Sequence, residues 1–284
     1  MFQTYYRLAK PGIVYGNCLT TLAGYFFGSA MHVQIRTLLA TLLGTATIIG
    51  GACVINNLTD RSIDSAMNRT KNRATVTGRV RMRDASIYAS ILIVIGFSVL
   101  LIFVNVLTAT VGLVGLLGYT VLYGYTKRRT VHGTLLGSIA GSMPIVAGYT
   151  AATNHVNHVV LILFCMMASW QMPHFYAIGL YRLADYKAAG LPVWPVRYGV
   201  RSTKRWMLVY LALYCVSVIS LYVFGHADSI YVLVMSGICL TWIYVAMHGY
   251  STVQHMKWAR SMFGFSLITL LAMSGAISIG SRLP

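Results

Sequence analysis

The chain has 284 residues, of which 57% are hydrophobic and only 10% charged, with a mean hydropathy of +0.68. A soluble domain carries about 25% charged residues, so a water-soluble fold is excluded. The formal charge of +17 raises nucleic acid as a partner, but its distribution along the chain excludes that too.

Apolar runs of about 20 residues recur throughout and match the length of a helix crossing a bilayer. The hydrocarbon core admits helix bundles and closed barrels, and a barrel would show short alternating segments instead. The expected fold class is all-α, a polytopic membrane helix bundle. Nine spans are predicted, near 12–31, 37–57, 86–106, 108–126, 133–152, 157–179, 206–225, 229–249 and 262–281.

In chain order, MFQTYYRLAKPG places Arg7 and Lys10 before the first apolar run, which reads as a retained span rather than a cleaved signal peptide. Between the second and third spans lies NNLTDRSIDSAMNRTKNRATVTGR, residues 56–79. If it continues as a helix, Asn56, Asp60 and Asp64 share one face. Arg69 and Arg73 then follow one and two turns beyond. Two carboxylates and an amide beside cations suit a divalent metal holding a polyphosphate, since Mg²⁺ takes hard oxygen ligands. Two solvated acids balancing a basic loop are the bland alternative.

The fourth span ends in Lys127, Arg128 and Arg129. Gly133, Gly137 and Gly141 recur every four residues, as do Gly24 and Gly28, which permits close helix approach. Pro144 and Pro173 fall within spans and predict kinks. His174 lies inside the sixth span, where an imidazole serves either function or an interhelical hydrogen bond. The loop after that span carries Tyr181 and Asp185 one helical turn apart. The five cysteines form no CxxC pair and read as small buried hydrophobes.

Assigning the N-terminus and every second loop to one side puts 20 of the 22 Lys and Arg residues there. By the positive-inside rule the N-terminus is then cytoplasmic and the C-terminus outside. The charge is a topogenic signal, and no nucleic acid partner is expected. Acidic loops follow the second and sixth spans, which suggests two four-helix repeats plus one helix. A transporter or lipid-carrier protein is the alternative of a different class. It predicts acids at mid-membrane, and none of the five acids lies there.

The run N-N-x-x-D-x-x-x-D, followed by R-T-K-N-R and T-G, resembles the first signature of the UbiA superfamily of intramembrane prenyltransferases. Within it, residues 9–17, 56–79, 125–144 and 170–195 resemble the branch that farnesylates haem. Asn57 stands where quinone-type members read Asp. Ser62 stands where many haem-branch members carry a middle acid, and Tyr181 where the second motif commonly has the first of two aspartates.

The resemblance implies a UbiA-like bundle of about nine transmembrane helices forming one domain, 1–284, in a bacterial cytoplasmic (inner) membrane. It implies transfer of a farnesyl group from farnesyl diphosphate to a vinyl group of haem B, with water added, giving haem O. Asn56, Asn57, Asp60, Asp64 and Asp185 are the implied Mg²⁺ set, with Tyr181 beside them. Arg69, Arg73 and Lys127 are the implied diphosphate contacts, His174 an implied haem contact or proton-transfer residue, and Arg128 and Lys10 are weaker phosphate candidates that the residues alone offer. The implied partners are the lipid bilayer and, for product hand-over, a haem A synthase or terminal oxidase. Prenyl transfer to a quinone precursor is the alternative within the same chemistry.

Overall fold

A computed structural model describes residues 1–30 and 32–282. The predicted end of the first span, at residue 31, lies outside them. Helices α1 (Phe2–Leu8) and α2 (Pro11–Ser29) open the chain, and α3 (Ile35–Thr59) runs into the short α4 (Arg61–Ala66). Next come α5 (Met82–Phe103), α6 (Val106–Leu117), a π-helical turn at Gly118–Tyr123, and α7 (Gly124–Arg129). The remainder is α8 (Gly133–Thr153), α9 (His158–Tyr181), α10 (Leu183–Ala188), α11 (Trp194–Val223), α12 (Ser229–Ser251) and α13 (His255–Ile279).

Eight segments among the described residues are long and apolar enough to cross a bilayer, with Val106–Arg129 counting as one. Helix α2 lies outside that set. It has 19 residues, and Asn17, Thr20 and Thr21 dilute its apolar run. The two threonine hydroxyls donate to the Asn17 carbonyl, each at 2.9 Å, so the helix satisfies them itself.

Helices α2, α8, α9 and α13 pack in a closed cycle, with α3 and α5 on one flank and α11 and α12 on the other. The inner spans α3, α8 and α9 are more than half buried, whereas α5 is 17% buried and faces outward. Glycines set the α2–α8 distance. A Cβ on Gly24 would overlap the Ile145 carbonyl, and one on Gly148 the Thr21 carbonyl. Each helix thus presents a hole where the other presents backbone. At the far end of the bundle, Asn105, Asn157 and Asp228 cap α6, α9 and α12 through side-chain acceptors.

Two boundaries depart from the hydropathy reading. Helix α11 begins at Trp194 rather than near 206, and α13 at His255 rather than 262. Pro195 stands in the first turn of α11, where its missing N–H costs nothing. Gly199, at φ 75°, breaks the first turns from the rest. Hydropathy misses these turns because Arg197, Arg201, Lys204 and Arg205 make them polar. Pro144 and Pro173 lie inside α8 and α9 without ending either helix. The five cysteines are all unpaired.

Candidate active site

Helix α3 ends on the motif, and the chain keeps close to its helical path for one more turn. Asp60 caps α3 at φ −90°, ψ 8°. The Asp60 amide donates to the Asn56 carbonyl at 2.9 Å, and the Asp64 amide to the Asp60 carbonyl at 2.8 Å. Asn56, Asp60 and Asp64 therefore hold the predicted spacing across the junction of α3 and α4. All three side chains are buried, as is Asn57.

The helix does not continue to the arginines. Helix α4 stops at Ala66, and residues 67–80 run in turns. Arg69 and Arg73 are therefore not stacked one and two turns beyond Asp64. The chain folds back instead, and Arg73 Nη1 meets Asp64 Oδ2 at 2.5 Å and Asn57 Oδ1 at 3.1 Å. The Thr70 hydroxyl fixes this return by donating to the Asp64 carbonyl at 3.0 Å. Arg69 is left exposed.

Asp60 is the hub. Its Oδ2 accepts from Asn56 Nδ2 at 2.9 Å and from Lys127 Nζ, and its Oδ1 accepts from Arg128 Nη2 at 3.2 Å. Arg128 also donates to the Thr59 carbonyl, one of the acceptors the end of α3 leaves open. Lys10 Nζ donates to Asn56 Oδ1 at 2.6 Å, and Asn57 Nδ2 to the Leu8 carbonyl at 2.9 Å. The junction of α1 and α2 is thereby tied to the motif. Four cations thus face two buried carboxylates. Burial is the main reason that the Lys10 ammonium falls from its ordinary range to about 8, and Arg73 adds to the fall. Cys53, Asp60 and Asp64 oppose it.

Local features place Lys127. The π-helical turn precedes α7, and such turns shift the register of the residues after them. Tyr119 and Tyr123 stack at 5.7 Å, and Lys127 Nζ lies 5.0 Å from the Tyr123 ring centroid. Gly133 lets the start of α8 lie against this helix, since a Cβ there would stand 2.6 Å from the Lys127 Cα. Tyr123 and Lys127 stand one helical turn apart in the sequence, a spacing that signals this pair.

The second loop differs. Tyr181 ends α9, with its ring against Phe263 at 5.7 Å and the Arg182 guanidinium 5.5 Å from its centroid. Asp185 is half-buried on α10 and makes no ion pair among the described residues. Its neighbour Tyr186 sits near Arg69. Burial raises the Tyr186 phenol above its ordinary value, and Arg69 opposes the rise. His174 is two turns further into α9. Its Nδ1 is 2.7 Å from Ser266 Oγ of α13, and it belongs to neither cluster of charge.

Among the described residues no group of three or more His, Cys, Asp or Glu could hold a metal. The donor set at α3–α4 is nonetheless chemically suited to a hard divalent cation, with two carboxylates and two carboxamides at one helix end. Asp64 uses only Oδ2 in its pair with Arg73. Its Oδ1 accepts no hydrogen bond among the described residues. The surrounding cations suit an anion of high charge, because Arg and Lys bind phosphate oxygens through charge-assisted bonds.

Comparison with known proteins gives these residues a context. Residues 17–268 match the UbiA prenyltransferase family. A protoheme IX farnesyltransferase of Pseudomonas savastanoi pv. phaseolicola is 42% identical over 274 residues, covering 96% of this chain and 93% of the relative. The fold resembles that of a membrane digeranylgeranylglyceryl phosphate synthase, at a TM-score of 0.81 and 18% identity over 98% of both chains. It also resembles a UbiA homologue from Archaeoglobus fulgidus bound to DMAPP and Mg²⁺, at a TM-score of 0.68 and 18% identity. That match covers 97% of this chain and 99% of the homologue.

Proposed function

This chain belongs to the UbiA prenyltransferase family, and from that membership we propose that it moves a farnesyl group from farnesyl diphosphate to a vinyl group of haem B. Water is added in the same reaction, which yields haem O and diphosphate. It is an integral membrane prenyltransferase of haem biosynthesis. The observation that carries the reading is the buried charge cluster at one end of an apolar bundle, in a chain 42% identical to a protoheme IX farnesyltransferase.

Diphosphate leaves an allylic carbon only when its developing charge is neutralised. Lys127 and Arg128 pair with Asp60, and Arg73 with Asp64, where α3 runs into α4. In the substrate complex these cations contact the diphosphate, and Lys10 contributes from the α1–α2 junction. Arg69 guides the anion in from the exposed turn. Mg²⁺, held by Asp60 and Asp64 with Asn56 and Asn57 as further oxygen donors, supplies Lewis-acid neutralisation of the leaving group when bound. Asp185 and Tyr181 support the same group from the second loop. The apolar helices shield the allylic cation from water until the haem vinyl group attacks it. Water then adds through its oxygen to the carbocation left beside the porphyrin ring and releases a proton to solvent, which leaves the hydroxyl.

The architecture in this reading is nine spans, with α2 as the first, forming one domain over residues 1–284. The N-terminus is cytoplasmic, and the enzyme sits in a bacterial inner membrane. Helices α3 and α9 each lead into a six-residue helix with an acid in its first turn, which supports two four-helix repeats plus one. Product passes to a haem-modifying enzyme or an oxidase in the same membrane.

Purified protein in detergent, given haem B, farnesyl diphosphate and Mg²⁺, converts haem B to a farnesylated hydroxyethyl haem visible by mass spectrometry. A hydroxybenzoate in place of haem stays unmodified. Prenylation of the hydroxybenzoate with haem B untouched reverses the choice of acceptor.

A further inference from the structure

His174 is well inside a membrane span, and its hydrogen bonds determine its tautomer. Ser266 Oγ lies 2.6 Å from the Phe263 carbonyl, which can only accept. The single hydroxyl proton of Ser266 is therefore committed there. The 2.7 Å contact between His174 Nδ1 and Ser266 Oγ then has one donor left, the imidazole N–H. The arrangement that satisfies both contacts at once puts the proton on His174 Nδ1 and leaves Nε2 as the lone pair.

The ring is also held in orientation. Trp170 stacks on it at 5.0 Å and 24°, and Phe263 lies 4.9 Å away on a 37° tilt. Trp170 Nε1 donates to the Ser266 carbonyl at 2.9 Å, so one serine anchors both rings. An imidazole fixed through Nδ1–H, with no hydrogen bond at Nε2, is how proteins prepare a histidine for a metal. Nε2 accepts no hydrogen bond among the described residues, and the side chain is half-buried rather than sealed.

No other ligating side chain accompanies it, since no group of three or more such residues exists among those described. A free metal ion would find one ligand, too few for a site. An iron porphyrin brings four nitrogens of its own and needs one axial ligand from the protein. His174 is seven residues before the end of α9, about 10 Å along the helix axis. Phe263 spans part of that interval by touching both His174 and Tyr181. The other described histidines stand at helix ends or in loops.

We propose that His174 Nε2 is the axial ligand that docks the iron of the haem acceptor, with Ser266 as its positioning residue. This rests on haem B being the acceptor. Iron coordination sets the depth and tilt of the macrocycle, while rotation about the iron–nitrogen bond leaves the choice of vinyl edge to the surrounding side chains.

The test compares ferric haem B with iron-free protoporphyrin IX, each titrated into the detergent-purified protein and followed optically and by electron paramagnetic resonance. The wild type binds haem B with a histidine-ligated signature and at least about tenfold more tightly than the iron-free ring. His174→Ala loses the signature and the preference, and added imidazole restores the signature. The variant still binds farnesyl diphosphate, which shows that the bundle is intact. Ser266→Ala keeps the ligation but weakens haem affinity, by about tenfold. An unchanged haem signature and affinity in His174→Ala overturns the proposal alone. A wild type that binds neither porphyrin overturns the haem reading, and this proposal with it.

Discussion

The loops that follow α3 and α9 share a plan and differ in content. Each turns through a six-residue helix with an acid in its first turn. After α3 the acid is buried against an arginine, and the acid before it meets a lysine and a second arginine. After α9 the acid is half-buried without an ion pair among the described residues, and aromatic rings surround the helix end. Burying a carboxylate requires compensation by charge or hydrogen bonds, and only the first loop supplies it. The first loop thus concentrates charge, and the second leaves its acid without a compensating ion among the described residues.

Substitutions grade this asymmetry. Asp64→Asn has the largest effect. It leaves Arg73 with only Asn57 as a neutral acceptor and removes a carboxylate from the proposed metal set, so single-turnover haem O formation falls by about 10³-fold. The protein still inserts, and wild-type turnover in this variant would remove Asp64 from the chemistry. Lys127→Met comes next. Asp60 keeps Arg128 and Asn56, so folding survives while the rate falls by about 10²-fold, the loss of one charge-stabilising donor. Asp185→Asn costs about tenfold in rate, much less than Asp64→Asn. Equal losses at the two positions would mean that both loops hold metal, and the comparison above would fail. Arg69→Lys is the mildest. An exposed arginine loses its fork geometry but keeps its charge, so farnesyl diphosphate affinity weakens by a few-fold in equilibrium binding. A loss as large as that of Lys127→Met would place Arg69 within the cluster.

Much of this is legible in the amino-acid sequence. The spans follow from apolar runs, and the acids hold their helical spacing because Asp60 and Asp64 stay in register across the end of α3. Lys127 was readable only as the end of a span, because its partner Asp60 is 67 residues earlier in the chain. Arg73 was assigned a helical position it does not occupy. Local periodicity cannot report a chain reversal, and α4 ends three residues before Arg69.

The sequence by itself determined the membrane class and the helical spacing of Asn56, Asp60 and Asp64, because hydropathy and helical spacing act within one segment. Only the tertiary structure decided which cation meets which carboxylate, where Arg73 returns, and that His174 meets Ser266 through Nδ1. Those outcomes depend on helices that are distant in the chain approaching at distances set by residues such as Gly24, Gly133 and Gly148. A hydrogen bond or ion pair across such a contact forms only over a few ångströms, and packing is what supplies them.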